Sequence, residues 1–266
     1  MMLGAVDTVM LSQYSDNSVA AVGVVNQLIM FAFLIFEVIN IGTSVLCSQY
    51  LGARMHKNMV QVVGVSLILN LVFGLFVSAI LHYGATSLLS MMGLRPELME
   101  YGVSYMKIVG VFAFFQAISL TISASLRSAN KAVYPMMVTV VVNILNIIGN
   151  YSLIFGKFGM PALGVEGAAI STAFILFIDV ILEVGRAINI YATNALRATG
   201  DVNYPFYVGF VVQWSVAVGC GFLFGIHWGW GLVGMWCAFV LDENLRGIIF
   251  VQRWNSLKWT KKGFVK

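Results

Sequence analysis

Long apolar stretches separated by short polar ones set the pattern along this chain. Residues 19–46 carry a single charge, Glu37, and residues 60–81, 108–126, 132–156 and 205–226 carry none. A helix needs about 20 predominantly apolar residues to cross a bilayer core, and each of these runs approaches or exceeds that length. The pattern predicts helical spans at 19–46, 60–82, 101–126, 134–156, 164–197, 205–226 and 231–251, with the remnant of another at 1–12. The expected fold class is an all-α polytopic membrane protein with about eight transmembrane helices.

One predicted span is too long. From Gly164 to Asp201 no loop signal occurs, yet some 35 helical residues extend roughly 52 Å, far more than the ~30 Å hydrocarbon core. "GVEGAAISTAF" reads as the start of one span and "ILFIDVILEVGRAINIYATNALRATGD" as a whole span of its own. Both run in the same direction, so a seam near Phe174 preserves topology while dropping what lay between.

An internal repeat supports the seam. "LRSANKAVYP" (126–135) and "LRATGDVNYP" (196–205) share Leu, Arg, Tyr and Pro in one register, which continues with Asn143 against Gln213 and Gly149 against Gly219. Gly164-x-x-Gly167 then faces Gly231-x-x-Gly234. The second copy matches only the fourth to sixth spans of the first. The expected organisation is therefore one six-helix lobe, residues 1–174, followed by half of a second, residues 175–266.

Composition agrees: 60% of residues are hydrophobic and 10% charged, with mean hydropathy +0.90, unlike an ordinary soluble domain. The net charge of +4 is distributed by side. Alternate connections carry Arg54 and Lys57, Arg127 and Lys131, Arg197, and the tail residues Arg253, Lys258, Lys261, Lys262 and Lys266; the opposite loops carry Arg95 and Lys157. Basic residues favour the cytoplasmic side, which predicts a cytoplasmic C-terminus. No basic cluster alternates with exposed aromatics, so nucleic acid is not an expected partner. Membrane lipid is. No basic n-region precedes the first apolar stretch, so no cleavable signal peptide is expected. Cys47, Cys220 and Cys237 have no metal-ligand spacing and read as packing residues. No zinc motif is present, and His56, His82 and His227 lie near span ends, so an enzyme is not expected.

"DTVMLSQYSDNSVAAVG", "GTSVLCSQYLGA", "LRSANKAVYP" and "NYSLIFGKFGMPALGVEGAAISTA" resemble the multidrug and toxic compound extrusion family of transporters. The resemblance covers nearly the whole chain. It implies two six-helix lobes around a central cavity and export of small cationic or amphipathic compounds across a bacterial cytoplasmic membrane. Na⁺ or H⁺ would be the coupling ion, with no other cofactor. The chain departs from the pattern by starting inside the first span and by lacking the end of the sixth through the ninth. A chain so built is expected to be inactive alone or to need a partner chain. A non-transporting remnant or scaffold is the alternative, and a lipid-oligosaccharide flippase of a related superfamily a weaker one.

A carboxylate at membrane depth is costly unless paired, solvated or protonated, which singles out Asp7. By resemblance Asp7 takes part in cation or proton coupling, with Asn146, Asn150 and Thr172 around it as a Na⁺ or proton site. Asn143, Asn146 and Asn150 share one helical face. Neutral amides supply oxygens to a hard cation without burying more charge, or else hydrogen-bond between spans. Glu37 reads as a second cavity acid or as a charge satisfied by a neighbouring helix. Asp179, Glu183 and Arg186 form a polar stripe extended by Thr193, and "DENLR" brings Asp242 and Arg246 to i, i+4 spacing. Glu183 and Arg186 are expected to pair with each other, or across to Arg246 and Asp242, as a salt-bridge cluster or a substrate site.

Overall fold

The computed structural model describes residues 3–157 and 159–259, all of them in helices or the turns between them. The helices are α1 (Leu3–Leu11), α2 (Asp16–Gly52), α3 (His56–Tyr83), α4 (Ala85–Met91), α5 (Met99–Val111), α6 (Ala113–Ser128), α7 (Val133–Phe155), α8 (Gly164–Ala198), α9 (Asn203–Val212) and α10 (Gly231–Asn255). Past Val212, α9 continues in the wider π-helical coil over Gln213–Cys220 and Leu223–His227. Among the described residues five helices are long and apolar enough to cross a membrane, or six if one bent pair counts as a single span. The eight predicted spans are all helical. Two fall short by that measure: α1 has nine residues, and α10 carries Asp242, Glu243 and Arg246.

Two spans differ from expectation. The second runs from Asp16 to Gly52, longer at both ends than 19–46. The fourth is broken at Phe112, where the segments Pro96–Val111 and Ala113–Ser128 meet at 48°. The break sits where Ser78 Oγ of α3 accepts the Phe114 N–H at 3.1 Å, so a side chain meets a backbone donor freed by the bend.

Tertiary contacts divide the chain into two compact units, Met1–Val180 and Ile181–Lys266. In unit 1, α2, α3, α5 and α6 pack on one another around a core that includes Leu11, Val25, Phe36, Leu89, Tyr105 and Met106. Two glycines bring α7 against α8. A Cβ on Gly167 would lie 2.4 Å from the Leu153 carbonyl oxygen, and one on Gly149 would lie 2.4 Å from Ser171 Oγ. Small residues permit this approach where lipid offers no hydrophobic drive between helices.

In unit 2, α10 packs on α9 and its π-helical continuation. The repeat seen in the sequence reappears here as local geometry. After α6, the N–H groups of Ala129, Asn130 and Lys131 bond the carbonyls of Ser125, Arg127 and Leu126; after α8, those of Thr199, Gly200 and Asp201 bond Ala195, Arg197 and Leu196. The left-handed residue is Asn130 (φ 59°) in one copy and Gly200 (φ 91°) in the other, the two residue types that tolerate that conformation best. Likewise the Leu163 N–H returns to the Leu153 carbonyl in unit 1 and the Trp230 N–H to the Phe224 carbonyl in unit 2. Gly234 then crowds the Phe224 backbone as Gly167 crowds Leu153.

Candidate cation site and pocket

The site is built around Asp7. Its helix α1 lies close on α2 because Gly4 has no side chain: an added Cβ would meet Asn26 at 3.0 Å. Asn26 Nδ2 donates to the Gly4 carbonyl at 3.1 Å and to Thr8 Oγ1 at 3.3 Å, which holds α1 in place. Asp7 is then fully buried. Its Oδ2 accepts from Tyr105 Oη of α5 at 2.5 Å and from Thr172 Oγ1 of α8 at 2.7 Å. Its Oδ1 accepts from Asn150 Nδ2 of α7 at 2.6 Å. Asn146 Nδ2 supports Thr172 Oγ1 at 3.2 Å, and Asn150 Nδ2 also lies 3.5 Å from Asn146 Oδ1.

Four helices thus converge on one carboxylate, and among the described residues no basic side chain pairs with it. Asp7, Asn146, Asn150 and Thr172 are brought together. Tyr105 joins them without any signal in the sequence, since nothing in "YGVSYMKIVGV" ties it to Asp7. Asn143 does not join: its Nδ2 bonds the Thr139 carbonyl of its own helix at 2.7 Å. Asn150 Oδ1 is buried and accepts no hydrogen bond. A buried carbonyl oxygen so placed is an available ligand for a hard cation.

Beside this cluster lies a cavity of about 340 Å³. Its walls are mainly apolar, among them Ile29, Met30, Phe33 and Leu176, with Asn26 and Gln116 as polar points. Tyr105 and Thr172, which hold Asp7, also line it. A ligand in the cavity therefore touches the groups that orient the carboxylate.

Glu37 meets neither expectation made for it. It is exposed on α2 between Leu34, Ile35, Val38 and Ile41, all exposed, with no partner among the described residues. α2 packs on α1, α3, α5 and α6, and Glu37 lies on the face left exposed.

In unit 2, Arg186, Asp242 and Arg246 form a buried charge network, but through a residue that was overlooked. Arg186 pairs with Glu243 at 3.0 Å. Arg246 pairs with Asp242 one turn away and with Glu243 at 3.3 Å. Asn189 Nδ2 adds a bond to Glu243 at 2.8 Å, and Thr193 bonds Asn189. The signal was present in "DENLR", where Glu243 stands three residues before Arg246. Glu183 is buried in the same unit. Asp179 belongs to unit 1 and accepts from Ser119 of α6. A further pair, Arg253 with the buried Asp201 at 2.8 Å, ties the start of α9 to the end of α10.

Comparison with known proteins agrees with this architecture. The MatE family model matches residues 1–152. The chain is 29% identical to the uncharacterized transporter YisQ of Bacillus subtilis (strain 168), an alignment covering 99% of this chain and 92% of that protein. That alignment runs over 418 positions against a chain of 266 residues, so more than a third of it has no counterpart here. A probable multidrug resistance protein NorM of Thermotoga maritima is 30% identical over 67% of this chain and 38% of its own length. The chain thus spans about two fifths of that relative. Solved structures share the fold. An inward-facing multidrug resistance MATE family transporter matches with TM-score 0.61 at 18% identity, covering 96% of this chain and 69% of that one. Its outward-facing counterpart matches with TM-score 0.59 at 19% identity, covering 98% and 64%. With the matched family model spanning more than half of its residues and multidrug transporters among its relatives, the chain belongs to the MatE family of membrane transporters.

Proposed function

We propose that this chain is the coupling half of a cation-driven antiporter that exports small, amphipathic or cationic organic compounds, with Na⁺ or H⁺ as the counter-transported ion. The observation that carries the reading is Asp7, a fully buried carboxylate held by three neutral donors and no base. A buried charge without a charged partner calls for a counter-ion or a proton. The donors fit the ionised, ion-free form: Tyr105, Thr172 and Asn150 each donate a hydrogen bond to Asp7. A proton or Na⁺ taken up at Oδ1 competes with the Asn150 amide N–H for that oxygen. A half-turn of the amide then presents Oδ1, which is unpaired now. The coupling ion thereby changes the contacts of α1 with α7, α8 and α5. An ion shifts a conformational equilibrium only through such differential contacts. Since Tyr105 and Thr172 also line the cavity, that change reaches a bound substrate directly.

The test is exchange in proteoliposomes. An outward Na⁺ or proton gradient should drive uptake or release of a fluorescent organic cation, and Asp7→Asn should abolish gradient dependence. Exchange by Asp7→Asn equal to wild type overturns the coupling role. A second reading, a non-transporting remnant or scaffold, is favoured by the long unmatched stretch in the YisQ alignment. It predicts ion binding at Asp7 without exchange, and exchange restored only by a partner chain would favour an obligate complex.

A further inference from the structure

The two units treat their intramembrane charges differently. In unit 2, Arg186 and Arg246 sit among the acids and pair with Glu243 and Asp242. In unit 1, Asp7, Glu37 and Asp179 stand away from the ends of their helices, and none of the three pairs with a base among the described residues. Asp7 is absorbed by the coupling site. Asp179 is not. It is half-buried, and its recorded bond is from Ser119, itself 3% exposed.

Asp179 also continues the cavity. Thr172, Leu176 and Asp179 stand at i, i+4 and i+7 on α8, one stripe of the helix, and the first two line the cavity. Gln116 lines it from α6, and Ser119 follows one turn later. Asp179 and Ser119, bonded to each other across α6 and α8, each stand three residues, about 4.5 Å along the axis, beyond the last lining residue of their own helix. Phe115 and Phe177, with ring centres 5.5 Å apart, join the same two helices alongside. An apolar chamber with a carboxylate at one end and no base to neutralise it discriminates by charge: a neutral ligand leaves Asp179 uncompensated in low dielectric, and a cation compensates it.

We propose that Asp179 sets the charge preference of the unit 1 cavity, holding the cationic centre of a ligand whose apolar body fills the chamber. The assignment rests on reading unit 1 as a substrate-binding lobe, and its test separates the two. Binding to the purified full chain is measured for tetraphenylphosphonium, a monocation, and for triphenylphosphine oxide, a neutral molecule of similar shape. Wild type should favour the cation. Asp179→Asn keeps an oxygen for Ser119 and removes the charge, so it should weaken tetraphenylphosphonium at least tenfold, leave triphenylphosphine oxide unchanged, and be rescued by Asp179→Glu. Leu176→Trp, which fills the chamber, should weaken both. If Asp179→Asn binds the cation as wild type does, the charge role is wrong while the cavity stands. Equal loss of both probes in Asp179→Asn makes Asp179 a structural residue and also overturns the proposal. If neither probe binds wild type, the cavity reading itself fails and takes the proposal with it.

Discussion

Replacing Asn150 by Leu is the sharpest test of the proposed coupling site, because it changes no charge and keeps four side-chain heavy atoms in the same branched arrangement. The substitution removes the 2.6 Å bond to Asp7 Oδ1 and the unpaired Oδ1. Neutral hydrogen bonds between membrane helices average only about 0.6 kcal/mol, because the separated helices find other partners. A bond to an ionised group is worth about 1.5–3 kcal/mol. The Asn150–Asp7 bond is of the second kind, as is any contact of the same amide with a cation at Asp7. The bond stabilises the ion-free form and the contact the Na⁺-bound form, so the loss in Na⁺ affinity is the difference between them, with the 1.5–3 kcal/mol of one such bond, roughly ten- to a hundredfold, as its ceiling. Asn143→Leu is the control: one face of α7 carries both amides, but Asn143 bonds the Thr139 carbonyl of its own helix. The assay is titration of the purified chain with NaCl against a choline chloride blank, with proton uptake measured in Na⁺-free buffer. Ion affinity of Asn150→Leu within twofold of wild type, or an Asn143→Leu defect of equal size, would refute the reasoning.

The remaining predictions concern the frame around the site. Arg186→Met strands Glu243 with only Arg246 and Asn189; breaking a buried pair costs about 3–5 kcal/mol, read as a lower thermal midpoint in detergent, and the double variant Arg186→Met/Glu243→Met should recover most of it. Gly167→Val drives a Cβ into the Leu153 carbonyl, which cannot rotate away. Its cost should reach or exceed the ~1–3 kcal/mol of ordinary overpacking and show as loss of monodisperse protein. Gly149→Ala, which meets only the rotatable Ser171 hydroxyl, should be milder. A fluorescent protein fused after residue 266 should fluoresce and a phosphatase fused there should stay inactive, as a cytoplasmic C-terminus requires; the reverse would invert the topology.

The spans and most of the polar cluster around Asp7 were legible in the sequence, and the reasons are physical. Helical spans declare themselves by length and hydropathy, which are local. Asn146 and Asn150 declare themselves by spacing. That same spacing overreached at Asn143: two turns from Asn150, it sits about 10.5 Å along the axis, too far to reach a carboxylate that Asn150 touches. Tyr105 stayed hidden because its bond to Asp7 joins residues far apart in the chain, and no periodicity encodes a tertiary contact. The kink at Phe112 was equally silent, having neither proline nor glycine at the break. Glu243 is legible in "DENLR" only by its i, i+3 spacing to Arg246, beside the i, i+4 pair of Asp242 and Arg246, and its bond to Arg186 has no local signal.

The long α8 holds the last step. From Gly164 to Ala198 it is one helix of 35 residues, roughly 52 Å at 1.5 Å per residue. Spanning a 30 Å core without excess would need a tilt of about 55°, outside the usual range of 0–40°. The backbone does not register the problem, because a helix satisfies its own polar groups and two spans of like direction can be fused without orphaning any. The side chains do register it. Thr172 spends its contacts on Asp7 in unit 1, Arg186 spends its own on Glu243 in unit 2, and the contact boundary falls between them at Val180 and Ile181. The unmatched third of the YisQ alignment is internal by the same arithmetic, since 99% of this chain and 92% of that protein are covered. The partners of Asp7 lie in unit 1, and Glu243, Asp242 and Arg246 lie in unit 2. Since Asp7 and its partners lie on the unit 1 side of that boundary, the proposed ion binding and the proposed exchange call for separate measurements on this chain.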